Sequence, residues 1–325
     1  MPTMSLGKAL NHGLRKAMER DPKVVLMGED IGKLGGVFRV TEGLQRDFGD
    51  RRVIDTPLAE SGVIGTAVGL AARGYRPVCE IQFDGFIYPA FDQIVSQVAK
   101  LHYRSEGRVT VALTIRVPFG GGVGAVEHHS ESPEAYFAHT AGLRVVTPSN
   151  AADGYRMIQQ AVASDDPVVF FEPKRRYWEK GEVDETRLSD TPLHRAAVVT
   201  TGSDVTIAAY GPMVATALDA ARIGREEGTS IEVIDLRSLS PVDFDTIEAS
   251  VRKTGRLVVA HEASVFCGLG AEIAARISER CFFHLEAPVR RVGGFATPYP
   301  PSRAEHHFLP DADRILHEVD RCLQP

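Results

Sequence analysis

Short, continuously apolar segments alternate along this chain with longer segments of helical periodicity, and this alternation constrains the fold more than any other feature. Strands that are apolar at every position are typical of parallel sheets covered on both faces. The alternation therefore predicts an α/β fold. In the first half, the predicted strands are Val24–Met27, Arg76–Phe83, Val109–Val117, Leu143–Thr147 and Pro167–Phe171, and the predicted helices are Glu60–Arg73, Pro89–Arg104, Pro133–His139 and Asn150–Ser164. In the second half, the predicted strands are Asp204–Tyr210, Ser230–Leu236, Arg256–Glu262 and Val289–Val292, and the predicted helices are Pro212–Glu227, Phe244–Lys253, Gly270–Cys281 and Ala312–Leu323.

A charged segment without clear periodicity, residues 173–196, separates the two halves. Such a composition is typical of a linker that runs over the surface. Because a chain of 325 residues is long enough for about two domains, we expect two three-layer α/β domains. The predicted boundaries are 1–180 for the first domain, 181–195 for the linker and 196–325 for a smaller second domain.

The N-terminal segment is predicted to be a structural helix rather than a targeting peptide. Apolar residues recur at helical spacing from Leu6 to Met18, Ser5 is suited to cap the helix, and Asp21-Pro22 ends it. A targeting peptide is poor in acidic residues and precedes a cleavage region, whereas here a strand-like segment follows at once. We therefore expect a cytoplasmic protein.

Charge and cysteine content exclude several classes of protein. The net charge of −6 argues against a general nucleic-acid binder. No apolar run approaches the roughly 18–20 residues that a membrane span requires. The four cysteines are scattered, without a CxxC pair or a cluster with histidine, so neither a disulfide framework nor a structural zinc site is predicted.

The 30 glycines form neither a GxGxxG fingerprint nor a GxxxxGK[ST] phosphate loop. Candidate binding residues are instead found where predicted strands end, because ligands of open α/β sheets bind at the carboxyl ends of strands. Four polar or glycine-rich segments lie there or lead into a helix: Gly28–Asp30, Asp55–Gly62, Gln82–Pro89 and Gly120–Ser130.

Each of these segments also has an ordinary structural explanation. Glu29 is compatible with an exposed loop acid, and Glu60 with a carboxylate that favours the positive end of a helix dipole. The Gly and Ala residues after Glu60 nevertheless imply close backbone approach and burial, and a buried carboxylate needs a partner such as a protonatable ligand nitrogen. Phe86 and Tyr88 are compatible with core aromatics. The loop Gly120–Gly124 is either simply flexible or a mobile element that presents a histidine pair.

Taken together, the segments resemble the β subunit of the thiamine-diphosphate-dependent decarboxylase component of 2-oxoacid dehydrogenases. The resemblance covers nearly the whole chain. Its motifs are DTPLAESGVIGTAVGLA, EIQFDGFIYPAFDQIVSQVAK, HHSESPEAYFAH, GLRVVTPSN and PVVFFEPK in the first domain, and VIDLRSLSPVD, RLVVAHEA and GGFATPYPP in the second. It implies a parallel-sheet, transketolase-like pyrimidine-binding domain and a transketolase C-terminal-like domain.

The resemblance implies that Glu60, in the PLAE motif, is catalytic and contacts the aminopyrimidine nitrogen of thiamine diphosphate. A carboxylate that shares a proton with that nitrogen favours the imino tautomer of the cofactor. The other cofactor-binding residues implied by similarity are Glu29, Leu58, Ala59, Gln82 and Phe86, with the Phe86 ring near the pyrimidine.

The histidine before SES, His129 rather than His128, matches the catalytic histidine of the family. Its implied role is proton transfer, or stabilisation of charge, while the acyl unit passes to a lipoyl group. By the same resemblance, the substrate is bound by Phe86, Ile87, Tyr88, Pro89 and His129.

Related enzymes hold the cofactor diphosphate through magnesium, with a GDG triplet in a separate domain, and this chain contains no GDG. The resemblance therefore implies that an α subunit holds the diphosphate and the magnesium, in an α2β2 heterotetramer. It also implies a potassium ion held largely by main-chain carbonyls, with matching positions at Leu113, Thr114, Ala161, Ser164 and Asp166. The second domain is expected to contribute to subunit association and to docking of the lipoylated acyltransferase core.

The HHSESPEAYFAH motif looks more like the branched-chain enzymes than the pyruvate enzymes, so 3-methyl-2-oxobutanoate is the expected type of substrate, with pyruvate or acetoin as alternatives. Two functions of other classes are disfavoured. A NAD-dependent oxidoreductase requires the absent dinucleotide fingerprint. A non-catalytic assembly subunit does not need Glu60, Gln82 and His129. A single-chain transketolase would be longer and would carry the GDG domain.

Overall fold

The computed structural model describes residues 1–186 and 191–324. Its strands are β1 Thr3–Ser5, β2 Val24–Gly28, β3 Val53–Asp55, β4 Arg76–Glu80, β5 Thr114–Phe119, β6 Arg144–Val146, β7 Val168–Pro173, β8 Lys180–Glu182, β9 Ala197–Thr200, β10 Val205–Ala209, β11 Ile231–Asp235, β12 Ser238–Ser240, β13 Leu257–Ser264 and β14 Arg290–Gly294. Its α-helices are α1 Leu6–Arg20, α2 Leu44–Phe48, α3 Glu60–Ala72, α4 Leu101–Arg104, α5 Glu134–Ala138, α6 Ala151–Ala163, α7 Met213–Glu226, α8 Phe244–Thr254, α9 Leu269–Arg280, α10 Glu305–Phe308 and α11 Ala312–Leu323.

The first sheet has the strand order β12-β6-β7-β5-β4-β2-β3, and all neighbours are parallel except β12 and β6. Successive residues of a strand point to opposite faces. In β7, Val169 and Phe171 belong to the hydrophobic cluster that includes α3. Val168 and Phe170 belong to the cluster that includes α1 and α6. Both faces are thus covered, which explains the continuously apolar strands and confirms a three-layer α/β domain.

The second sheet has the order β14-β13-β10-β11-β9 and is parallel except for β9, which is antiparallel to β11. Helices α7 and α11 cover one face. Helices α8 and α9 cover the other face, and their apolar residues share one cluster with the α3 side of the first sheet. The two layered units therefore pack together through a continuous hydrophobic core.

The predicted N-terminal helix is confirmed as α1. The Ser5 hydroxyl accepts a hydrogen bond from the Lys8 amide at 3.3 Å and caps the helix. Helix α1 packs against α6 at Gly13, where an added Cβ would lie 2.4 Å from a methyl carbon of Ile158. Glycine at this position lets the two helices approach closely. No helix in the described part of the chain is long and apolar enough to cross a membrane.

The predicted single helix over Pro89–Arg104 is wrong. The chain instead forms a 3₁₀ segment at Asp84–Ala90, a π segment at Gln93–Val98 and the short helix α4. Pro89 lies inside the 3₁₀ segment, and the single helix is interrupted further along, by the π segment and by the turn at residues 99–100 that separates it from α4. One other expectation shifts, because β5 begins at Thr114 rather than Val109. Strand β3 was not predicted, since its three residues are too few to show a sequence pattern.

Strand β12 shows how the two halves of the chain are tied together. Ser238 pairs with Val146 of β6, so residues far along the chain complete the edge of the first sheet. Within the predicted linker, the described residues include part of β8, which pairs antiparallel with β1 at the N-terminus. Residues 187–190 of that linker lie outside the described residues. The domain boundaries stay predictions.

Candidate active site

The four segments singled out in the sequence lie together at the carboxyl ends of the strands of the first sheet. Strands β5, β4, β2 and β3 are neighbours and parallel, so their carboxyl ends lie side by side. Glu29 follows β2, Glu60 begins α3 shortly after β3, Gln82 follows β4, and the glycine loop that leads to His129 follows β5. The topology therefore collects all of them where ligands of such sheets bind.

Two buried carboxylates lie near each other at the carboxyl ends of these strands. Glu29 and Glu60 are each only 9% exposed. Burial raises the pKa of Glu29, and the nearby charges of Glu60 and Asp30 raise it further. The Oε1 atom of Glu29 is buried and has no hydrogen-bond partner among the described residues. The pair is thus suited to a ligand that brings a hydrogen-bond donor or a protonatable nitrogen.

The residues around this acid pair differ in exposure. The main-chain carbonyl of Glu29 accepts a long hydrogen bond of 3.5 Å from the Gln82 amide group. Ala59 is the N-cap of α3, and its neighbour Leu58 is 74% exposed. The chain thus leaves an apolar side chain in solvent two residues before the buried Glu60.

The glycines of α3 do not bury its surface as the sequence led us to expect. Gly62 and Gly69 are exposed, and an added Cβ at Gly69 would meet no atom within 4 Å. The face of α3 that carries Gly62 and Gly69 is open among the described residues, because a Cβ added at either position would meet no atom of another helix or strand within 4 Å.

His129 lies between two aromatic rings. Its imidazole stacks on Phe83 at a centroid distance of 4.0 Å and an interplanar angle of 9°. The ring of Phe86 stands edge-on at 5.1 Å and 84°. The Nδ1 atom of His129 lies 2.9 Å from the carbonyl oxygen of His128. Because a carbonyl only accepts, this contact assigns the proton to Nδ1 and leaves the Nε2 lone pair for proton transfer.

The predicted substrate residues fall into two groups. Ile87 is fully buried in the hydrophobic core, so its side chain does not line the site. Tyr88 is 40% exposed, and its hydroxyl donates a hydrogen bond to Glu131 at 2.6 Å. Pro89 is exposed and Phe86 is half-buried. Three of these side chains are therefore accessible from the cleft or the surface.

A buried ion pair, which the sequence analysis missed, holds the backbone around His129. The ammonium of Lys174 donates hydrogen bonds to Asp84 and to the main-chain carbonyl of His129. Asp84 also accepts a 2.5 Å hydrogen bond from the Glu131 amide. Burial raises the pKa of Asp84 and lowers that of Lys174, and the charge of each partner opposes the shift of the other. The only sequence signals were charged residues in the QFDGF and FFEPK motifs.

A second buried network lies in the sheet beneath this edge. Arg116 of β5 donates to Glu80 of β4 at 2.6 Å and to both carboxylate oxygens of Glu172 of β7. The Arg116 side chain is 2% exposed. Such bidentate bonds fix the relative positions of three neighbouring strands, from which the site loops emerge.

The residues matched to a potassium site lie close together in the structure. The Ser164 amide donates to the carbonyl of Ala161, the Ser164 hydroxyl donates to that of Asp166, and the Val168 amide donates to that of Leu113. Arg76 donates a 2.9 Å hydrogen bond to the carbonyl of Ser164. Thr114 is buried at the start of β5. In residues 1–186 and 191–324, no group of three or more His, Cys, Asp or Glu side chains is placed to hold a metal ion.

Two family models match the chain. Residues 2–179 match the pyrimidine binding domain of transketolase, and residues 194–315 match the transketolase C-terminal domain. A split-gene transketolase, solved as an inactive β4 tetramer, has a similar structure, with a TM-score of 0.79 and 26% sequence identity over 98% of each chain.

Two relatives match over almost the full chain. The pyruvate dehydrogenase E1 component subunit beta of Leifsonia xyli is 60% identical, over 99% of this chain and 95% of that protein. The 3-methyl-2-oxobutanoate dehydrogenase subunit beta of Mycobacterium tuberculosis is 53% identical, over 99% of this chain and 92% of that protein. The chain therefore belongs to the transketolase-like family of β subunits of 2-oxoacid dehydrogenase E1 components.

Proposed function

We propose that this chain binds the aminopyrimidine end of thiamine diphosphate and forms half of the active site of a 2-oxoacid dehydrogenase. The observation that carries the proposal is the buried Glu29–Glu60 pair with an unpartnered carboxylate oxygen. An aminopyrimidine brings both a protonatable ring nitrogen and an amino group, so its chemistry fits this pair. When bound, thiamine diphosphate supplies the electron sink that decarboxylation of a 2-oxoacid requires.

The roles of the surrounding residues follow from their positions. The Glu60 carboxylate accepts a hydrogen bond from the protonated ring nitrogen and so holds that proton in place. Burial and the charge of Glu60 raise the pKa of Glu29, so Glu29 takes up a proton more readily than an exposed glutamate does. Leu58 and Ala59 border the ring, Gln82 restrains the Glu29 backbone, and Phe86 offers an aromatic surface.

His129 is proposed to handle the proton of the acyl-transfer step. Its Nε2 atom is available, and the rings of Phe83 and Phe86 restrict its orientation. A lipoyl thiolate that forms during transfer needs a proton, and the imidazole can deliver one from Nε2 after that atom has taken up a proton. Tyr88 and Pro89 are proposed to line the approach of the substrate, with Ile87 supporting them from the core.

The diphosphate and its magnesium are proposed to be held by an α subunit in an α2β2 heterotetramer. The exposed surface at Leu58 and along α3 beside Glu60 supports a second chain at this edge. The related split-gene transketolase is described as inactive when it consists of β chains alone. The same proposal has three further parts. The main-chain carbonyls of Ala161–Asp166 hold a potassium ion, the second domain docks a lipoylated acyltransferase core, and the protein is cytoplasmic.

The acyl donor is proposed to be a short 2-oxoacid. The HHSESPEAYFAH motif and the relative at 53% identity favour 3-methyl-2-oxobutanoate. The relative at 60% identity is a pyruvate dehydrogenase subunit, which favours pyruvate as the second candidate.

Co-expression with the neighbouring reading frames tests the proposal. We expect an α subunit to copurify, and the complex to bind thiamine diphosphate with magnesium in calorimetry much more tightly than the single chain does. The complex is then assayed with 3-methyl-2-oxobutanoate and with pyruvate, each with a lipoylated acyltransferase domain. Tight magnesium-dependent binding by the chain alone contradicts the shared site. A complex that turns over neither acid contradicts the proposed reaction.

A further inference from the structure

Three residues of the second half of the chain reach across to the glycine loop that precedes His129. The loop begins at Gly120, whose amide donates to the carbonyl of Glu131 at 2.8 Å and so closes it into a compact turn. Its first five residues are Gly120, Gly121, Gly122, Val123 and Gly124, and positive φ angles occur at Gly120, Gly122 and Gly124. Non-glycine residues rarely adopt these angles, so the glycines shape a path that turns several amides outward.

The Glu305 carboxylate accepts hydrogen bonds from two of these amides. The amide of Gly122 donates to Oε1 of Glu305 at 2.7 Å, and the amide of Gly124 donates to Oε2 at 3.1 Å. Hydrogen bonds to a carboxylate are stronger than bonds between neutral groups. Glu305 is the first residue of α10. It lies 183 residues after Gly122 and 181 residues after Gly124 in the chain.

Tyr299 fixes Glu305 in this position. Its hydroxyl donates a hydrogen bond to Oε1 of Glu305 at 2.6 Å. Burial and the Glu305 carboxylate raise the pKa of Tyr299, so the phenol keeps the proton that it donates. A Cβ added at Gly121 would lie 1.8 Å from the Tyr299 hydroxyl oxygen, which shows how closely the ring covers the loop.

Glu262 completes the contact from the end of β13. It accepts a hydrogen bond from the Gly121 amide, and its other oxygen lies 3.2 Å from the Arg175 guanidinium. The Glu262 side chain is only 2% exposed. Gly122, Val123 and Gly124 are exposed on their outer side, so carboxylates from the second half of the chain supply much of what orders the tip of the loop.

We propose that Glu305 is a positioning residue: it latches the glycine loop to the second domain and thereby orders the segment that presents His129 to the acyl-transfer step. The inference rests on the proposed role of His129. It also gives the second domain a part in the active site, although the sequence shows no catalytic constellation there. The two ends of the loop are held separately, by the Gly120–Glu131 bond and by Lys174, so the latch acts on the tip between them.

Hydrogen–deuterium exchange of the full chain tests the latch directly. In Glu305→Ala we expect the amides of Gly122 and Gly124 to exchange about tenfold faster than in the wild type. Glu305→Gln keeps one carbonyl oxygen as an acceptor, so a smaller increase is expected, and Tyr299→Phe behaves similarly because it removes only the bond to Glu305. The control is Glu279→Gln, an exposed residue at the far end of α9, which leaves exchange in the loop unchanged.

Equal exchange of these amides in the wild type and in both Glu305 variants overturns the latch. The Gln variant and Tyr299→Phe preserve this test if Glu305→Ala does not fold, because each changes hydrogen bonds without opening a large cavity.

Turnover of the complex with its α subunit tests the consequence for His129. We expect kcat for lipoyl acylation to fall about tenfold in Glu305→Ala, because small displacements of a catalytic group reduce rates strongly. The KM for the 2-oxoacid stays within about twofold, since the latch does not contact the acid pair. Faster exchange with unchanged kcat overturns the positioning role. If the wild-type complex turns over no 2-oxoacid, the proposed function fails, and the exchange result alone then decides whether the latch exists.

Discussion

The ammonium group of Lys174 donates a hydrogen bond to the main-chain carbonyl oxygen of His129, and its other partner is the carboxylate of Asp84. Both side chains of the ion pair are completely buried. Asp84 also accepts a hydrogen bond from the Glu131 amide. The ion pair therefore fixes the backbone on both sides of Ser130. A buried charge is thereby used to set the position of a loop rather than to touch a ligand.

Replacing Lys174 with methionine is expected to destabilise the fold by about 3–5 kcal/mol, because the Asp84 carboxylate would remain buried without its partner. The measurement is the free energy of unfolding in urea, at neutral pH. Lys16→Met is the matched control, since Lys16 pairs with Glu19 on the exposed face of α1 and its loss should have little effect. The double variant Asp84→Leu with Lys174→Met should recover part of the loss, and a double variant no more stable than Lys174→Met contradicts this explanation.

Glu134 should make stability depend on pH. Its carboxyl is fully buried, accepts a 2.6 Å hydrogen bond from the Tyr210 hydroxyl and has a pKa raised by burial to about 7. The folded protein therefore binds this proton more tightly than the unfolded chain, whose glutamate has the ordinary pKa of 4.5. This contribution to stability is complete below pH 4.5 and is lost as the pH rises through 7.

Glu134→Gln removes that titration. As the pH rises from 5 to 8, we therefore expect Glu134→Gln to become more stable relative to the wild type. The measurement is the melting temperature of each protein at pH 5 and at pH 8. Glu279→Gln, at an exposed position, should track the wild type at both. If the melting temperatures of Glu134→Gln and the wild type differ by the same amount at pH 5 and at pH 8, the Glu134 carboxyl is not a source of the pH dependence of stability.

The layers of the fold could be predicted because they depend on the pattern of apolar residues within each short segment of the chain. The strand β7 is apolar at every position except its last two, and such a segment has few alternatives to a doubly covered sheet. The helix α1 carries its start signal at Ser5 and its apolar stripe in adjacent residues. By contrast, the 3₁₀ and π segments that replace the predicted helix over Pro89–Arg104 differ from an α-helix only in hydrogen-bond spacing, which the apolar pattern does not distinguish.

Most of the missed features of the site depend on partners distant in sequence. Asp84 and Lys174 are 90 residues apart, and the bonds of Glu305 to the glycine loop span more than 180. A single sequence shows that these residues are charged but not which charges meet. Glu60 could be proposed as a site residue because its motif is local, whereas Phe83 was overlooked beside Phe86, since its contact depends on the ring of His129.

Removal of the Glu60 carboxylate is expected to abolish cofactor-dependent decarboxylation in the complex. Glu60→Gln keeps the shape of the side chain but cannot hold the ring proton, so a loss of about 100-fold or more in the rate of carbon dioxide release is expected. Glu29→Gln should have a smaller effect, because the amide keeps the shape of the side chain and can still form hydrogen bonds with a ligand. Near-normal decarboxylation by Glu60→Gln, with wild-type secondary structure by circular dichroism, overturns the assignment.

His128 and His129 are neighbours in sequence but differ in their surroundings. His129 stacks on Phe83, whereas the His128 side chain is 53% exposed beside Glu127. In His129→Ala we expect acylation of a lipoylated domain to slow by about 100-fold, because a positioned proton donor is lost. Decarboxylation measured with an artificial electron acceptor, which bypasses the lipoyl group, should change far less. His128→Ala is the matched control and should retain both activities. If both reactions fall equally in His129→Ala, the histidine acts before acyl transfer, and if His128→Ala shows the larger loss of acylation, the proton is handled by His128 instead.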